Sequence, residues 1–202
     1  MYEIHYKPHL SKSKNEAIIS MTKKEVQSQM SARMLSLNFK DVIPKEFGEA
    51  PRIIPCYMIQ DNNSHHVYVL EEKLKGKFVK YMNNDGRVYK DLIETEHGKK
   101  ISAFCHFVYH KYNRKLMVAD LQGVGLSLTD ISMATWEVGD LETQELYFGC
   151  DNMSQQALNN FCQEHTCNSY CRLLKLKDME PLVDLIDEQL KGEGLDCESN
   201  II

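Results

Sequence analysis

The most constraining feature of this chain is a cluster near residue 170. His165-x-Cys167-x-x-x-Cys171 puts one imidazole and two thiols within seven residues. Nitrogen and sulfur donors packed this closely suit zinc, and closed structural zinc sites take four protein ligands in a tetrahedron. Three ligands in one segment leave the fourth to come from elsewhere, so a zinc here would tie two distant parts of the chain together. Cys167 and Cys171 are four apart, so one helical turn would aim both sulfurs the same way. The spacing is not one of the best-known finger patterns, and three buried side chains gathered at a helix end is the competing reading. His106 stands out among the other histidines because its helical surroundings are apolar, although a lone histidine in that setting is more often a hydrogen-bonded core residue than a ligand.

The remaining cysteines say more about compartment than about chemistry. The chain has 202 residues and seven cysteines, an odd number that does not form a complete disulfide framework. Cys56, Cys150 and Cys162 sit in apolar or mixed surroundings and read as small core residues, while Cys197 lies in a polar tail. The N-terminal residues carry no apolar signal segment, and no apolar run approaches the ~20 residues of a membrane span. A cytoplasmic location is expected. Hydrophobic residues make up 43% and charged residues 26%, which is globular composition. A net charge of -5 argues against a nucleic-acid partner, because such affinity comes from clustered Lys and Arg.

Periodicity organises the rest. Tyr2, Ile4 and Tyr6 alternate like a short strand. Val26, Met30, Met34 and Leu37 predict a helix over 23–39, with Thr22 as its N-cap. Residues 52–60 and 66–70 read as a hairpin, and a third strand near 77–81 ends at the turn signal Asn83-Asn84-Asp85-Gly86. Ile101, Phe104, Cys105 and Val108 mark a second helix. Leu116–Ala119 reads as a buried strand that delivers Asp120, with a loop from Asp120 to Gly125 after it. A helix around Ala157–Cys162 ends just before His165. A last amphipathic helix over 181–190 carries Leu182, Leu185, Ile186 and Leu190 on one side and is a candidate partner-binding element.

Asp120 and Asp130 lie ten apart, with Gln122 and two glycines between them. Oxygen donors of this kind suit Mg²⁺, a hard ion usually shared with substrate phosphates. A carboxylate beside such an ion can orient a hydroxyl nucleophile and accept its proton. Two aspartates that merely flank a glycine turn would look the same on the page.

Four separated motifs then resemble one family in the right order. Leu116-Met-Val-Ala-Asp-Leu-Gln-Gly-Val-Gly-Leu-Ser-Leu-Thr-Asp130 resembles the catalytic stretch of the α-kinases, atypical protein kinases. The segment from Leu70 to Gly86 is similar to their lobe-connecting segment. Ala103-Phe-Cys-His-Phe-Val-Tyr109 is similar to their AFSHxTY helix, and Phe161–Cys171 to their FFxxHxCNxxC ending. The resemblance, from about 23 to 176, implies an α+β, two-lobed atypical protein-kinase-like fold with a structural zinc in the C-terminal lobe. It implies a partial N-terminal lobe over 1–90, a C-terminal lobe over 91–176, and a helix with polar tail over 177–202.

The resemblance also assigns roles. Asp120 matches the catalytic aspartate, and Gln122 and Asp130 match the Mg²⁺ pair. His106, His165, Cys167 and Cys171 match all four zinc ligands. Glu72 matches the hinge glutamate that contacts the nucleotide, and Leu74 the position whose backbone meets adenine. The implied activity is ATP- and Mg²⁺-dependent transfer to a Ser or Thr hydroxyl of a protein substrate.

Departures from the family pattern favour a second reading, an inactive or weak pseudokinase scaffold. The family's first strands and its Val-Ala-Lys nucleotide lysine have no full counterpart. Lys7 sits roughly where that lysine belongs, in the wrong context and before Pro8, with Lys12 and Lys14 as fallbacks. The GxGNxGxxG segment persists only as Gly149-Cys-Asp-Asn-Met-Ser-Gln-Gln-Ala157, where Asp151, Ser154 and Ala157 stand at glycine positions. Ile131 replaces a proline, and Met82 an asparagine. A zinc hydrolase is disfavoured because four protein ligands leave the ion no open position.

Overall fold

The structure, a computed structural model, describes residues 2–7, 12–61 and 66–179, apart from the side chains of 3–7 and 12–15. The expected 181–190 helix and Cys197 lie outside the described residues.

The helix expected over 23–39 is longer: α1 runs Lys12–Val42 and stops just ahead of Pro44, whose ring disfavours helical backbone at the residue before it. No proline or glycine interrupts the upstream segment. Thr22 is therefore no N-cap; it lies buried in mid-helix. The helix also faces another way than its apolar stripe suggests. Met34 and Leu37 are exposed, while Thr22, Gln29, Ala32, Leu35, Ser36 and Phe39 are buried. Polar side chains on that buried face need partners, and Gln29 finds them at the candidate site.

The segment 52–60 does not form one strand. It divides at Ile54-Pro55 into β2 (Arg52–Ile53) and β3 (Cys56–Gln60), because Pro55 has no N–H to continue a ladder. The expected hairpin survives as β3 with β4 (Val67–Glu72), and β1 (Tyr2–Lys7) pairs antiparallel on the other side of β4. A second sheet has the order β2-β8-β7-β5, with β5 Phe78–Lys80, β7 Gln122–Val124 and β8 Ser127–Thr129. Its strands come from both sides of residue 90. The supposed loop after Asp120 is thus partly strand. Gly123 permits the tight β7–β8 contact, since a Cβ there would meet the Ser127 carbonyl oxygen at 2.1 Å.

After the short helix α2 (Lys90–Ile93), α3 (Glu96–Lys111) opens on Thr95, whose hydroxyl accepts the Gly98 N–H at 3.1 Å, an N-cap bond. Its buried face packs on β6 (Leu116–Ala119), which pairs with β9 (Ser132–Thr135). Two helices close the described chain, α4 (Ser154–Glu164) and α5 (Ser169–Leu173). One apolar core runs from Phe39 and Phe47 through Phe104 and Met117 to Phe161. Cys56 belongs to the buried set as expected and Cys162 is partly buried, but Cys150 is exposed and is no core residue.

Candidate active site and metal centre

The buried strand β6 ends where the apolar sequence ends, and the next residue, Asp120, takes a left-handed φ of 54°. Asp130, between β8 and β9, does the same at 53°. Non-glycine residues in this region are strained and concentrate at functional sites. The two turns bring the carboxylates to one amide. Gln122 Nε2 lies 3.1 Å from Asp120 Oδ2, 3.1 Å from the Asp130 carbonyl oxygen and 3.3 Å from Asp130 Oδ2. A cis pair of oxygens on Mg²⁺ is separated by about 3.0 Å, given bonds of 2.0–2.1 Å. Turned about its terminal bond, the Gln122 amide would put an oxygen among these carboxylate oxygens, so the residues fit the ion.

Asp120 Oδ1 faces the other way. It makes no well-directed hydrogen bond, and its ion-pair partner is Lys80 Nζ at 2.5 Å. Lys80 reaches it because β5 pairs with β7 so that Lys80 stands opposite Gln122. Burial pushes the Asp120 carboxyl above its usual range, and the Lys80 ammonium pulls the other way. The sequence reading assigned Lys80 no role. Its signal was a lysine on a short strand leading into the Asn83–Gly86 turn.

Asp120 and Asp130 line a cavity of about 440 Å³ between α1, the β3–β4 hairpin and the β8–β9 turn. Glu72 and Leu74, the two expected hinge residues, both line it. Glu72 forms a two-pronged pair with Arg52 at 2.8 and 3.3 Å, which holds its carboxyl below the usual range. Six carboxylates line the cavity: Glu25, Glu71, Glu72, Asp120, Asp130 and Asp151. Such a lining repels a polyphosphate unless divalent cations accompany it. Lys7 stands opposite Val67 at the end of β1, and its side chain lies outside the described residues. Lys12 and Lys14 are on α1, and their side chains also lie outside.

The glycine-depleted segment has a specific shape. Ser154 carries a left-handed φ of 49°, and its hydroxyl donates to the Trp136 carbonyl at 2.9 Å. Asn152 is buried: its Oδ1 accepts the Thr135 and Ser154 amides, and its Nδ2 donates to Tyr147 O and Thr135 Oγ1. Ala157 lies in α4 against Gly86. Only Asp151 of the three substituted positions lines the cavity.

The second site joins α3 to the α4–α5 junction. His106 on α3, His165 at the end of α4, Cys167 and Cys171 bring one ligand atom each within 4.8 Å of one another. Cys171 Sγ is 3.6 Å from His165 Nε2, and Cys167 Sγ is 3.7 Å from His106 Nδ1. A tetrahedral zinc with ordinary Zn–N and Zn–S bonds spaces N and S about 3.6 Å apart, so the residues fit the ion. Ser102 Oγ lies 3.0 Å from His165 Nδ1 and fixes that ring with Nε2 toward the centre. Burial lowers the His106 imidazole to about 4 and His165 to about 3, keeping both neutral as a ligand must be. Cys167 does not share a helical turn with Cys171. It precedes α5, whose N-cap Asn168 accepts the Tyr170 and Cys171 amides at 2.8 and 3.3 Å.

Fold and sites point to one protein class, and the comparisons agree. The model of the alpha-kinase family matches residues 5–171. The chain belongs to that family. It is 33% identical over 168 residues to the human transient receptor potential cation channel subfamily M member 7, covering 83% of this chain and 9% of the channel. It is 41% identical over 152 residues to mouse alpha-protein kinase 2, covering 73% of this chain and 7% of that protein. The chain therefore spans under a tenth of the length of each of these two relatives. The fold matches the alpha-kinase domain of myosin heavy chain kinase A in complex with ADP, with TM-score 0.66 and 25% identity over 80% of this chain and 60% of that one. Among the described residues no helix is long and apolar enough to cross a membrane.

Proposed function

We propose that this chain is an ATP- and Mg²⁺-dependent protein kinase of the α-kinase type, acting on a Ser or Thr hydroxyl. The observation that carries the reading is the convergence of Asp120, Gln122 and Asp130 on one point with Lys80 behind Asp120. Relatives support the nucleotide, since myosin heavy chain kinase A has been solved with ADP and with AMP-PNP. In this reading the adenine lies by Leu74 and Glu72, and Lys7 is the counterpart of the nucleotide lysine. Gln122 and Asp130 hold Mg²⁺, which when bound neutralises charge on the transferring phosphoryl group. Asp120 orients the acceptor hydroxyl and takes its proton, and Lys80 keeps that carboxylate ionised and in place.

His106, His165, Cys167 and Cys171 hold a structural zinc that staples α3 to the α4–α5 junction. The six cysteines among the described residues form no disulfide, and a reducing, cytoplasmic location is the one we propose for them. The residues before and after position 90 act as nucleotide-side and catalytic lobes, with 177–202 as an appendage able to bind a partner.

One observation favours the pseudokinase alternative: Asp151, at a glycine position of the GxGNxGxxG pattern that this segment resembles, adds a carboxylate to the cavity. Thermal denaturation with millimolar Mg²⁺ and ATP tests the main reading. A ligand at a hundred times its Kd adds about 2.7 kcal/mol of stability, so several degrees of Tm are expected. An unchanged Tm would leave the scaffold reading in its place.

A further inference from the structure

Gln29 on α1 is buried, at 4% exposure, yet carries an amide with demands on both ends. Its Oε1 accepts the backbone N–H of Asp130 at 2.7 Å. Its Nε2 donates to the Ile54 carbonyl at 3.0 Å and to Thr129 Oγ1 at 3.3 Å. The orientation is not arbitrary: a backbone N–H can only donate and a carbonyl can only accept, so a flipped amide would lose both bonds. Thr129 Oγ1 in turn donates to Glu71 Oε2 at 2.7 Å, next to the proposed hinge residue Glu72. Gln29 thus ties the long helix to Ile54 and the Asp130 turn, and Thr129 carries the connection on to the hinge strand.

We infer that Gln29 is a positioning residue for Asp130, holding it in the geometry that binds the divalent cation and coupling that geometry to the nucleotide hinge. The inference rests on the kinase reading above. Asp130 sits at a left-handed φ of 53° and is an exposed residue, so core packing does not fix it. Its backbone is held at both ends by side chains: the carbonyl accepts from Gln122 on β7, and the N–H donates to Gln29, the bond that reaches it from α1. A strained single residue keeps such a conformation only while its surroundings over-determine it. Without the Gln29 acceptor, the turn gains other conformations, and Mg²⁺ then binds only the competent fraction.

The test uses the full chain, ATP at a fixed concentration and MgCl₂ as the titrant, with the ATP-dependent rise in Tm as the readout. Gln29→Met keeps the shape and removes all three bonds; Gln29→Glu keeps an acceptor for the Asp130 N–H. The expected result is a roughly tenfold higher Mg²⁺ midpoint for Gln29→Met, from loss of one strong hydrogen bond, and a midpoint within about twofold of wild type for Gln29→Glu. A role in α1 packing alone would lower Tm without moving the midpoint. A folded Gln29→Met with the wild-type midpoint overturns the inference, as does Gln29→Glu shifted equally. Should Gln29→Met not fold, Gln29→Glu decides alone, a tenfold shift overturning the inference. The two readings fail separately. A wild type that gains nothing from Mg²⁺ and ATP sinks the kinase proposal, whereas a responsive wild type with an unshifted Gln29→Met sinks only this one.

Discussion

Lys80 Nζ lies 2.5 Å from Asp120 Oδ1 while Gln122 Nε2 donates to Oδ2 of the same carboxylate, so each Asp120 oxygen is held by a different β-strand. Burial raises the Asp120 pKa and Lys80 offsets part of that rise. A base in this setting is useful only when ionised. Lys80→Met is therefore expected to move the acid limb of the kcat/KM profile to higher pH and to lower kcat. A profile that falls in amplitude but keeps its acid limb would show that Lys80 acts on something other than Asp120.

The same residue makes a stability prediction. A carboxyl whose folded pKa is raised binds its proton more tightly in the native state than in the unfolded chain. Its contribution is favourable below the unfolded carboxylate pKa and is lost as pH rises through the folded value. Asp120→Asn, which imitates the protonated form, should therefore have a Tm at pH 7 equal to or above wild type, with the difference shrinking toward pH 4. Denaturation of both proteins across that range checks the sign. A variant markedly less stable at pH 7 would mean that the Lys80 pair outweighs the burial cost.

For the proposed zinc centre, removing a ligand should act on folding before chemistry. Apparent free energies for structural zinc are about 10–16 kcal/mol at neutral pH, above the whole stability of most domains. His106→Ala and Cys167→Ala are predicted to lose zinc by elemental analysis and to lose cooperative unfolding. Either variant with full stability and one equivalent of zinc would contradict the assignment.

Asp151 supplies a prediction of gain. Its charge lies close enough to Asp120 to raise that group's pKa, and it lines the cavity that would take the triphosphate. Asp151→Gly is expected to tighten ATP binding several-fold, most clearly at low Mg²⁺, where less cation is present to mask the carboxylate. Calorimetric titration at two Mg²⁺ concentrations measures it; equal affinities in both proteins would remove Asp151 from the account.

Local patterns carried much of this architecture in the sequence. The α3 periodicity, the apolar run that ends at Asp120 and the His165–Cys171 spacing each involve residues within one or two turns, and each has its counterpart in the structure. What escaped was non-local or polar. Lys80 and Asp120 are forty residues apart and meet only through the β5–β7 register. Gln29 is not marked by the Val26, Met30, Met34 and Leu37 pattern, because the face that α1 buries is chosen by what it packs against. Pro55 was in plain view, and its missing N–H was sufficient reason to divide 52–60. Ser154 kept the left-handed turn by trading a glycine's freedom for a hydroxyl bond to Trp136, which no residue preference encodes.

The most direct measurement is transfer of labelled γ-phosphate from Mg²⁺-ATP to Ser or Thr by the chain purified in the presence of Zn²⁺, with its own residues and a mixed casein preparation as acceptors. Wild type should incorporate label only with Mg²⁺, and Asp120→Asn, equally folded, should incorporate none. Label in both proteins, or in neither despite a Tm raised by Mg²⁺ and ATP, would contradict the account.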